Sequence, residues 1–537
     1  MPSFTKLLPS CLTPLLLSGN ALSAKSPFLM EHSLASTTTP VIWAVRCPIP
    51  LLPTYIYLML PSYWCPSLCS SSAASPDERH SLINRVWSCL PAKYETNMDE
   101  DCLSLAVFAP KGTTTSDKLP VVIWIHGGAF NAGSKQGFSL ASMISHSPVK
   151  YIGVSIEYRV VRGSWILPSN LTHRANSLNL GLYDQQYAIQ WVQKYISLFG
   201  GDPHQVTLFG ESAGATSVGY HLLHVDGPPP FKRVIMDSGG PTARAFPDWT
   251  YPLYQTQTDE FLNLTGCYRG ANETATFSCL RGISMETIRN ASVSVFNKYD
   301  PAVTWPFQPV VDYQFSKFKL EQILYVRLPF KVARPAHESW ESGQVNNVSV
   351  FTGFNSDEGS IFVHKNLNTT EEFKGFFRNL APKISDSQLD ALQTFTLDPT
   401  SLVAYGDFAY ISQVQANAVY ASKLNMPVWK YHFAYLTSDP DGVKHGSELQ
   451  YVNTVIALDK PREVADQAKI MNAYWSSCDH CFWRSNKVNS SAPAWPRYTT
   501  QNETQIRFSN GTAYTEPDNI RRNATDFWRS IPDVLMH

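Results

Sequence analysis

The chain has 537 residues, of which 44% are hydrophobic and 16% are charged, a globular composition with room for one large domain or two ordinary ones. Its formal net charge is −1 and it holds no long basic run, which excludes an electrostatic field suited to nucleic acid or to an anionic membrane surface. We therefore expect no nucleic-acid partner.

The first residues have the layout of a secretory signal peptide. Lys6 precedes an apolar run over residues 7–17, and small residues continue to Ala24. We predict a signal peptide over residues 1–24 and therefore a secreted, extracellular protein. A second apolar run over residues 40–60 is interrupted by Arg46 and by prolines, so we expect no integral membrane span there.

Residues 25–85 form a divergent N-terminal segment that stays unassigned. They are rich in Ser, Pro and Leu without a sustained period of 2 or 3.6. A regular pattern begins at residue 86 and continues to residue 537. Ten cysteines and ten Asn-x-Ser/Thr sequons, from Asn170 to Asn523, favour a secreted glycoprotein.

Strands and helices alternate after residue 86. A helix over residues 181–199 is predicted by apolar residues on one face, and Gly200 and Gly201 end it. A hairpin is predicted around Asn510 and Gly511. The predicted strands cover residues 103–110, 119–125, 151–158, 206–209, 234–236, 348–354 and 426–435. Strand, helix and strand joined by short links predict a large central, mostly parallel sheet flanked by helices.

A Gly-x-Ser-x-Gly pattern lies between a predicted strand and a predicted helix, with Ser212 at its centre. In that context the pattern predicts a nucleophile elbow, a sharp turn that lifts the serine hydroxyl above the sheet. Gly210 and Gly214 suit the turn because a side chain there would collide with the neighbouring strand and helix. The alternative interpretation is an ordinary loop serine.

Small residues follow the strand over residues 119–125, in the run His126-Gly127-Gly128-Ala129-Phe130. Their backbone N–H groups are free to point at an oxyanion, and hydrolases place such donors in this loop. The alternative is an ordinary Gly-Gly turn.

A serine hydroxyl needs a general base, and the base needs an acid that holds its tautomer and its developing charge. In this fold the chain order is serine, acid, histidine. Asp357 and Glu358 both follow a strand, and the residues alone leave the choice between them open. His445, followed by Gly446, is favoured among 14 histidines, whereas His432 lies inside a strand.

Five stretches together resemble the type-B carboxylesterase/lipase family, the cholinesterase-like branch of the α/β-hydrolases, and most of all its secreted fungal esterases and lipases. The stretches are residues 100–103, 126–130, 179–186, 199–203 with 209–215, and 357–360 with 445–448. The resemblance runs from about residue 87 to the C-terminus. It implies an α/β-hydrolase domain over residues 86–537 and a carboxylic ester hydrolase that needs no metal or cofactor.

The resemblance also implies the catalytic roles. Ser212 is then the nucleophile, Glu358 the acid of the triad and His445 the base, acting through an acyl-enzyme on a small-molecule or lipid ester. Because the histidine must be neutral to act as a base, activity is expected to fall below about pH 6.

Three backbone N–H groups would bind the oxyanion, those of Gly128, Ala129 and Ala213. Gly127 would keep their loop flexible, and Glu211 would shape the electrostatics of the pocket. The family's two disulfides would correspond to Cys89–Cys102 and Cys267–Cys279. No pairing is assigned to Cys47, Cys65, Cys69, Cys478 and Cys481.

The chain departs from the family in two places. Nothing in residues 25–85 resembles the segment that forms one wall of the family's gorge, so this segment is either divergent or the product of a faulty reading frame. Residues 90–101 contain no tryptophan that could bind a quaternary ammonium, so specificity for choline esters is not expected. A catalytically impaired or non-catalytic binding member of the same fold is the alternative function.

Overall fold

The computed structural model describes residues 30–33, 41–45, 102–160, 178–244, 247–311, 332, 334–363, 367, 369–395, 401–435, 439–456, 461–477 and 493–535. The predicted signal peptide, most of residues 25–85 and the domain boundary at residue 86 lie outside these ranges. So do Cys89 and the five cysteines to which no pairing was assigned.

Within these ranges, eleven strands form one sheet in the order β1-β2-β3-β5-β4-β6-β7-β8-β9-β10-β11. The strands are β1 Met30–Ser33, β2 Val41–Val45, β3 Leu105–Ala109, β4 Leu119–Ile125, β5 Ile152–Ile156, β6 Gly201–Glu211, β7 Arg233–Asp237, β8 Ser349–Asn355, β9 Val428–Phe433, β10 Thr504–Ser509 and β11 Thr512–Pro517. All neighbours from β5 to β10 are parallel, and the pairs at both ends are antiparallel. The predicted fold class, a mostly parallel α/β-hydrolase sheet flanked by helices, is confirmed.

The segment to which the sequence assigned no element supplies two of these strands. β1 pairs with β2, and β2 pairs antiparallel with β3. Strands of 4 and 5 residues show too little periodicity to stand out in a Ser- and Pro-rich segment. β2 opens the apolar run in which the sequence predicted no membrane span, and no helix in the described residues is long and apolar enough to cross a bilayer.

Helices cover the sheet. They are α1 Leu140–Ser145, α2 Leu180–Tyr195, α3 Ala213–Leu223, α4 Pro252–Leu264, α5 Glu273–Gly282, α6 Met285–Tyr299, α7 Ala336–Glu341, α8 Thr370–Leu380, α9 Asp386–Phe395, α10 Ser401–Gly406, α11 Ser412–Lys423, α12 Leu449–Val452, α13 Arg462–Ser476, α14 Arg522–Arg529 and α15 Pro532–Leu535. Short 3-10 turns follow α2 and α6, and a π-helical turn joins α10 to α11. Gly200, at φ +82°, ends the helix predicted over residues 181–199.

The central strands are buried on both faces. In β4, Val121 and Ile123 pack into one hydrophobic core, whereas Val122 and Trp124 pack into a second core on the opposite face of the sheet. Parallel strands bring their carboxyl ends to the same edge of a sheet, so the ends of β4, β6, β7, β8 and β9 lie side by side. The candidate site lies along this edge, where open α/β sheets place their ligands.

Candidate active site

Ser212 is the single residue between β6 and α3. Its backbone has φ +56° and ψ −123°, a conformation that a residue with a Cβ rarely adopts. The Ser212 N–H donates to the carbonyl of Asp237 at the end of β7, 3.0 Å away, which helps to hold the turn. The geometry is that of the strained strand-to-helix turn predicted from the sequence.

The two glycines of the pattern are required by close backbone contacts. A Cβ at Gly210 would lie 2.3 Å from the carbonyl carbon of Gly214. A Cβ at Gly214 would lie 2.1 Å from the carbonyl oxygen of Ile125 on β4. Neither backbone contact can give way, so the helix packs against the sheet only when both positions are glycine.

The loop after β4 turns back on itself over Gly128, Ala129 and Phe130, whose φ angles are +110°, +53° and +61°. Among the described residues, the N–H groups of Gly128 and Ala129 have no hydrogen-bond acceptor. Ala213 is the first residue of α3, where a backbone N–H has no partner within the helix. The three predicted oxyanion donors are therefore available to a ligand.

Gly127 lies where a side chain would collide with the elbow, and its predicted role in keeping the loop flexible stays a prediction. Its φ is not positive, and a Cβ there would lie 2.8 Å from both the backbone oxygen and the Oε2 of Glu211. The loop after β4 therefore rests directly on the elbow.

A buried network that the sequence did not reveal supports this loop from below. The Lys135 ammonium lies 3.3 Å from Oε1 of Glu157, which is completely buried. Tyr158 donates its hydroxyl to the carbonyl of His126, 2.8 Å away. Burial lowers the pKa of His126 to about 4, so its imidazole is neutral at physiological pH.

Glu358 is fully buried behind His445. Its Oε2 lies 2.5 Å from Nδ1 of His445, and its Oε1 accepts from the Ser238 hydroxyl at 2.6 Å and from the Asn355 N–H at 2.7 Å. An ionised carboxylate can only accept, so the proton of neutral His445 is on Nδ1 and Nε2 is left as an acceptor. Asp357, the alternative acid, instead accepts from the backbone of Val443 at 2.8 Å.

His445 and Ser212 line the same cavity, together with Glu211, Gly128 and Ala129. Nε2 of His445 lies 3.1 Å from Oε1 of Glu211. In the described part of the chain no hydrogen bond joins that nitrogen to the Ser212 hydroxyl. Burial raises the pKa of Glu211 well above its usual value, and the charges of Glu358 and Asp237 raise it further.

The cavity has a volume of about 490 Å³, within the usual range for small-molecule sites. Its lining divides into a polar part, which holds Ser212, the loop after β4 and Asp300, and an apolar part. The apolar part consists of Phe296, Trp305, Ile361, Phe362 and Val363. Such a division suits a ligand with one polar group at its reacting centre and an apolar body.

A second set of serine, histidine and glutamate lies outside this cavity. The Ser356 hydroxyl is 2.7 Å from Nε2 of His432, and Nδ1 of His432 is 2.8 Å from Oε1 of Glu516. Burial lowers the pKa of His432, which favours the neutral ring. Hydrogen-bond connectivity alone therefore does not single out the catalytic set.

Access and backbone geometry distinguish the two sets. The N–H groups of Ser356 and Asp357 already donate to the carbonyls of Phe433 and Val443, at 3.1 and 3.0 Å. Ser356 is absent from the positive-φ residues and does not line the cavity of Ser212. In the described structure the Ser356 set thus joins β8, β9 and β11, and offers no free donors for an oxyanion.

Ser238 is a site residue that sequence reasoning missed. It follows directly on β7, whose apolar residues are followed by Asp237. The change from apolar to polar residues at Asp237 and Ser238 was a signal that could have pointed to the site. By contrast, nothing in the sequence indicated the pairing of His432 with Glu516, because they lie 84 residues apart.

Of the two predicted disulfides, Cys267–Cys279 is present and joins the end of α4 to α5. Cys102 is also disulfide-bonded. Because Cys89 lies outside the described residues, its pairing with Cys102 stays a prediction.

Comparison with known proteins gives consistent matches. The model of the carboxylesterase family matches residues 64–528. Secreted lipase 4 of Gibberella zeae is 34% identical over 476 residues, covering 83% of this chain and 81% of that protein. Acetylcholinesterase of Bungarus fasciatus is 29% identical over 472 residues, covering 82% and 73%. The crystal structure of Aspergillus niger EstA has the same fold, with a TM-score of 0.69, 24% identity, and coverage of 84% of this chain and 88% of that one.

Proposed function

The chain belongs to the carboxylesterase family and is a carboxylic ester hydrolase, and we propose that it acts through Ser212, His445 and Glu358 by way of an acyl-enzyme. One observation carries the proposal. His445, whose Nδ1 lies 2.5 Å from Oε2 of Glu358, lines the same cavity as Ser212 in its strained turn.

In the proposed first step, Nε2 of His445 takes the hydroxyl proton as Ser212 Oγ attacks the ester carbonyl carbon. The carbonyl oxygen becomes an oxyanion, and the C–O bond to the alcohol then breaks. His445 returns the proton to the departing alcohol. Water repeats the sequence on the acyl-enzyme, which releases the carboxylic acid and restores Ser212.

The N–H groups of Gly128, Ala129 and Ala213 would bind the oxyanion. Each donor would lower the free energy of the transition state by about 3 kcal/mol, because a preorganised donor needs no rearrangement as the charge forms. Glu358 would stabilise the imidazolium that forms on His445. Glu211, 3.1 Å from Nε2 of His445, would set the local field at the same nitrogen.

The substrate class follows from the cavity walls. Phe296, Trp305 and Phe362 offer an apolar surface beside Ser212, which suits an ester with an aliphatic or aromatic acyl group. We further propose that the protein is a secreted glycoprotein. The charged, apolar and small residues of 1–24 support this, as does the similarity to a secreted lipase of Gibberella zeae.

Hydrolysis of p-nitrophenyl esters from acetyl to palmitoyl tests the proposal. We expect Ser212→Ala to lower kcat by at least about 10⁴-fold, since removal of a triad serine disables the whole unit. Ser356→Ala is the matched control, because it removes the serine of the second set, and it should keep activity within about twofold of wild type. A Ser212→Ala variant that stays active would contradict the assignment.

A further inference from the structure

Two side-chain amides converge on the loop that carries the proposed oxyanion donors. Nδ2 of Asn131 donates to the carbonyl of Ala129 at 2.8 Å, and Nε2 of Gln308 donates to the same oxygen at 2.9 Å. Both amides also donate to the carbonyl of Pro306, at 2.8 and 3.0 Å. Each NH₂ group has two protons and each carbonyl has two lone pairs, so the four bonds saturate all four groups.

Arg244 fixes which way the Gln308 amide points. Nη2 of Arg244 lies 2.9 Å from Oε1 of Gln308, and a guanidinium can only donate, so Nε2 must face Ala129 and Pro306. The Arg244 guanidinium also stacks on the ring of Trp305, 4.2 Å from its centroid. Trp305 lines the cavity, so Arg244 connects the Gln308 amide to a residue of the cavity lining.

The loop needs such a restraint. Ala129 and Phe130 are consecutive residues with a Cβ in the left-handed region, at φ +53° and +61°. This conformation is unfavourable for each of them and persists only where surrounding contacts over-determine it. Asn131 and Gln308, at 1% and 3% exposure, supply buried contacts to the carbonyl between these two residues.

We propose that Gln308 and Asn131 are positioning residues that aim the N–H of Ala129 at the oxyanion. The inference rests on the proposed function, in which that N–H is a donor. Only the two soft dihedrals of Ala129 separate its N–H from its carbonyl. Holding the carbonyl in place therefore limits where the N–H can point.

The first test is Gln308→Glu, which keeps the shape and the acceptor for Arg244 but replaces the donor with a carboxylate oxygen. We expect kcat to fall about tenfold with KM within about twofold, because a misdirected donor loses part of the 10²–10³-fold effect of deleting one. Gln193→Glu is the matched control and should match wild type. Nε2 of Gln193 also donates to two carbonyls, those of Pro203 and Pro230, both at 2.8 Å, away from the cavity.

A pair of inhibitors separates positioning from general damage. A trifluoromethyl ketone adds to Ser212 and forms an oxyanion, whereas the matching methyl ketone binds as a ground-state ligand. We expect the trifluoromethyl ketone to lose affinity by the same factor as kcat/KM, and the methyl ketone to bind Gln308→Glu as it binds wild type. An equal loss for both ketones, or an unchanged kcat in a folded Gln308→Glu, would overturn the inference.

Asn131→Asp tests the positioning role if Gln308→Glu does not fold, since it removes the other donor to the Ala129 carbonyl. The same fall in kcat and the same difference between the ketones are expected, and their absence counts against the inference. The proposed function is judged separately by wild type and Ser212→Ala. An active wild type, an inactive Ser212→Ala and a normal Gln308→Glu would leave the function standing and remove only the positioning role.

Discussion

Asp237 is a buried carboxyl beside the elbow that the proposed mechanism does not use. Burial raises the pKa of Asp237 to about 8, although a hydrogen bond from the Trp475 indole, 2.8 Å away, opposes the rise. Its backbone carbonyl holds the N–H of Ser212. The side chain therefore keeps its proton near neutrality and loses it in mildly alkaline solution.

This pKa makes the stability of the fold depend on pH. The unfolded chain releases the Asp237 proton near pH 3.8, whereas the native state releases it only near pH 8, so the native state holds an extra proton in between. The free energy of unfolding that Asp237 contributes is therefore fully present below pH 3.8 and is lost as the pH rises to about 8. Asp237→Asn, which still accepts from Trp475, removes the dependence.

We predict that the melting temperature of Asp237→Asn minus that of wild type grows by about 2 °C or more between pH 5 and pH 8, and then levels off. Differential scanning calorimetry at half-unit pH steps measures it. Titrating groups that do not interact with Asp237 contribute equally to both proteins and cancel in the difference, whereas the pKa of Glu211 and of Glu448 falls when the Asp237 charge is removed. A difference that stays constant over this range would show that Asp237 is ionised throughout.

At the scale of elements, β4, β6 and α3 pack so closely around the elbow that a glycine is required between the helix and the strand. Gly214 on α3 sits against the carbonyl of Ile125 on β4, where a Cβ would be 2.1 Å from oxygen. By contrast, Gly375 on α8 has nothing within 4 Å of the same position. We therefore expect replacement by alanine to have opposite effects on stability at these two helical glycines.

Gly214→Ala should destabilise the fold by about 2 kcal/mol or more, because the helix must move away from the strand. Gly375→Ala, the matched control, should stabilise it by about 0.5–1 kcal/mol, because alanine loses less entropy in a helix. Thermal unfolding of the two variants and of wild type measures whether each substitution lowers or raises the stability. A Gly214→Ala variant as stable as wild type would mean that the elbow is loosely packed.

Elements could be predicted wherever their pattern was local. The apolar runs of β4 and β7, the Val- and Phe-containing β8 and the turn at Gly511 were sufficient, and these elements lie where the sequence predicted them. β1 and β2 were missed, because strands of 4 and 5 residues are defined by their partner β3 rather than by their own pattern.

At the scale of the whole molecule, the sheet brings together residues that the chain keeps far apart. Ser212, Glu358 and His445 could be proposed because each lies in a local motif and their order is characteristic of the fold. Gln308 carries no motif, and it reaches Ala129 across 179 residues. Contacts of this kind depend on loops crossing the sheet edge, and no periodicity in the sequence records them.

The second set of serine, histidine and glutamate shows that residue types and hydrogen bonds alone do not identify a catalytic site. Ser356, His432 and Glu516 reproduce the hydrogen bonds of a triad, yet their serine lacks the turn and the free N–H donors of Ser212. The central claim is therefore about where the nucleophile lies, not only about which residue types are present.

Covalent labelling tests that claim most directly. A fluorophosphonate should form a P–O bond to the nucleophilic serine with loss of fluoride, and tryptic peptide mapping by mass spectrometry locates it. The peptide that ends at Lys232 carries Ser212, and the peptide that ends at Lys365 carries Ser356. We predict one label per chain, on Ser212, appearing in step with the loss of ester hydrolysis. A label on Ser356 that accompanies the loss of activity, with Ser212 unmodified, would contradict the account.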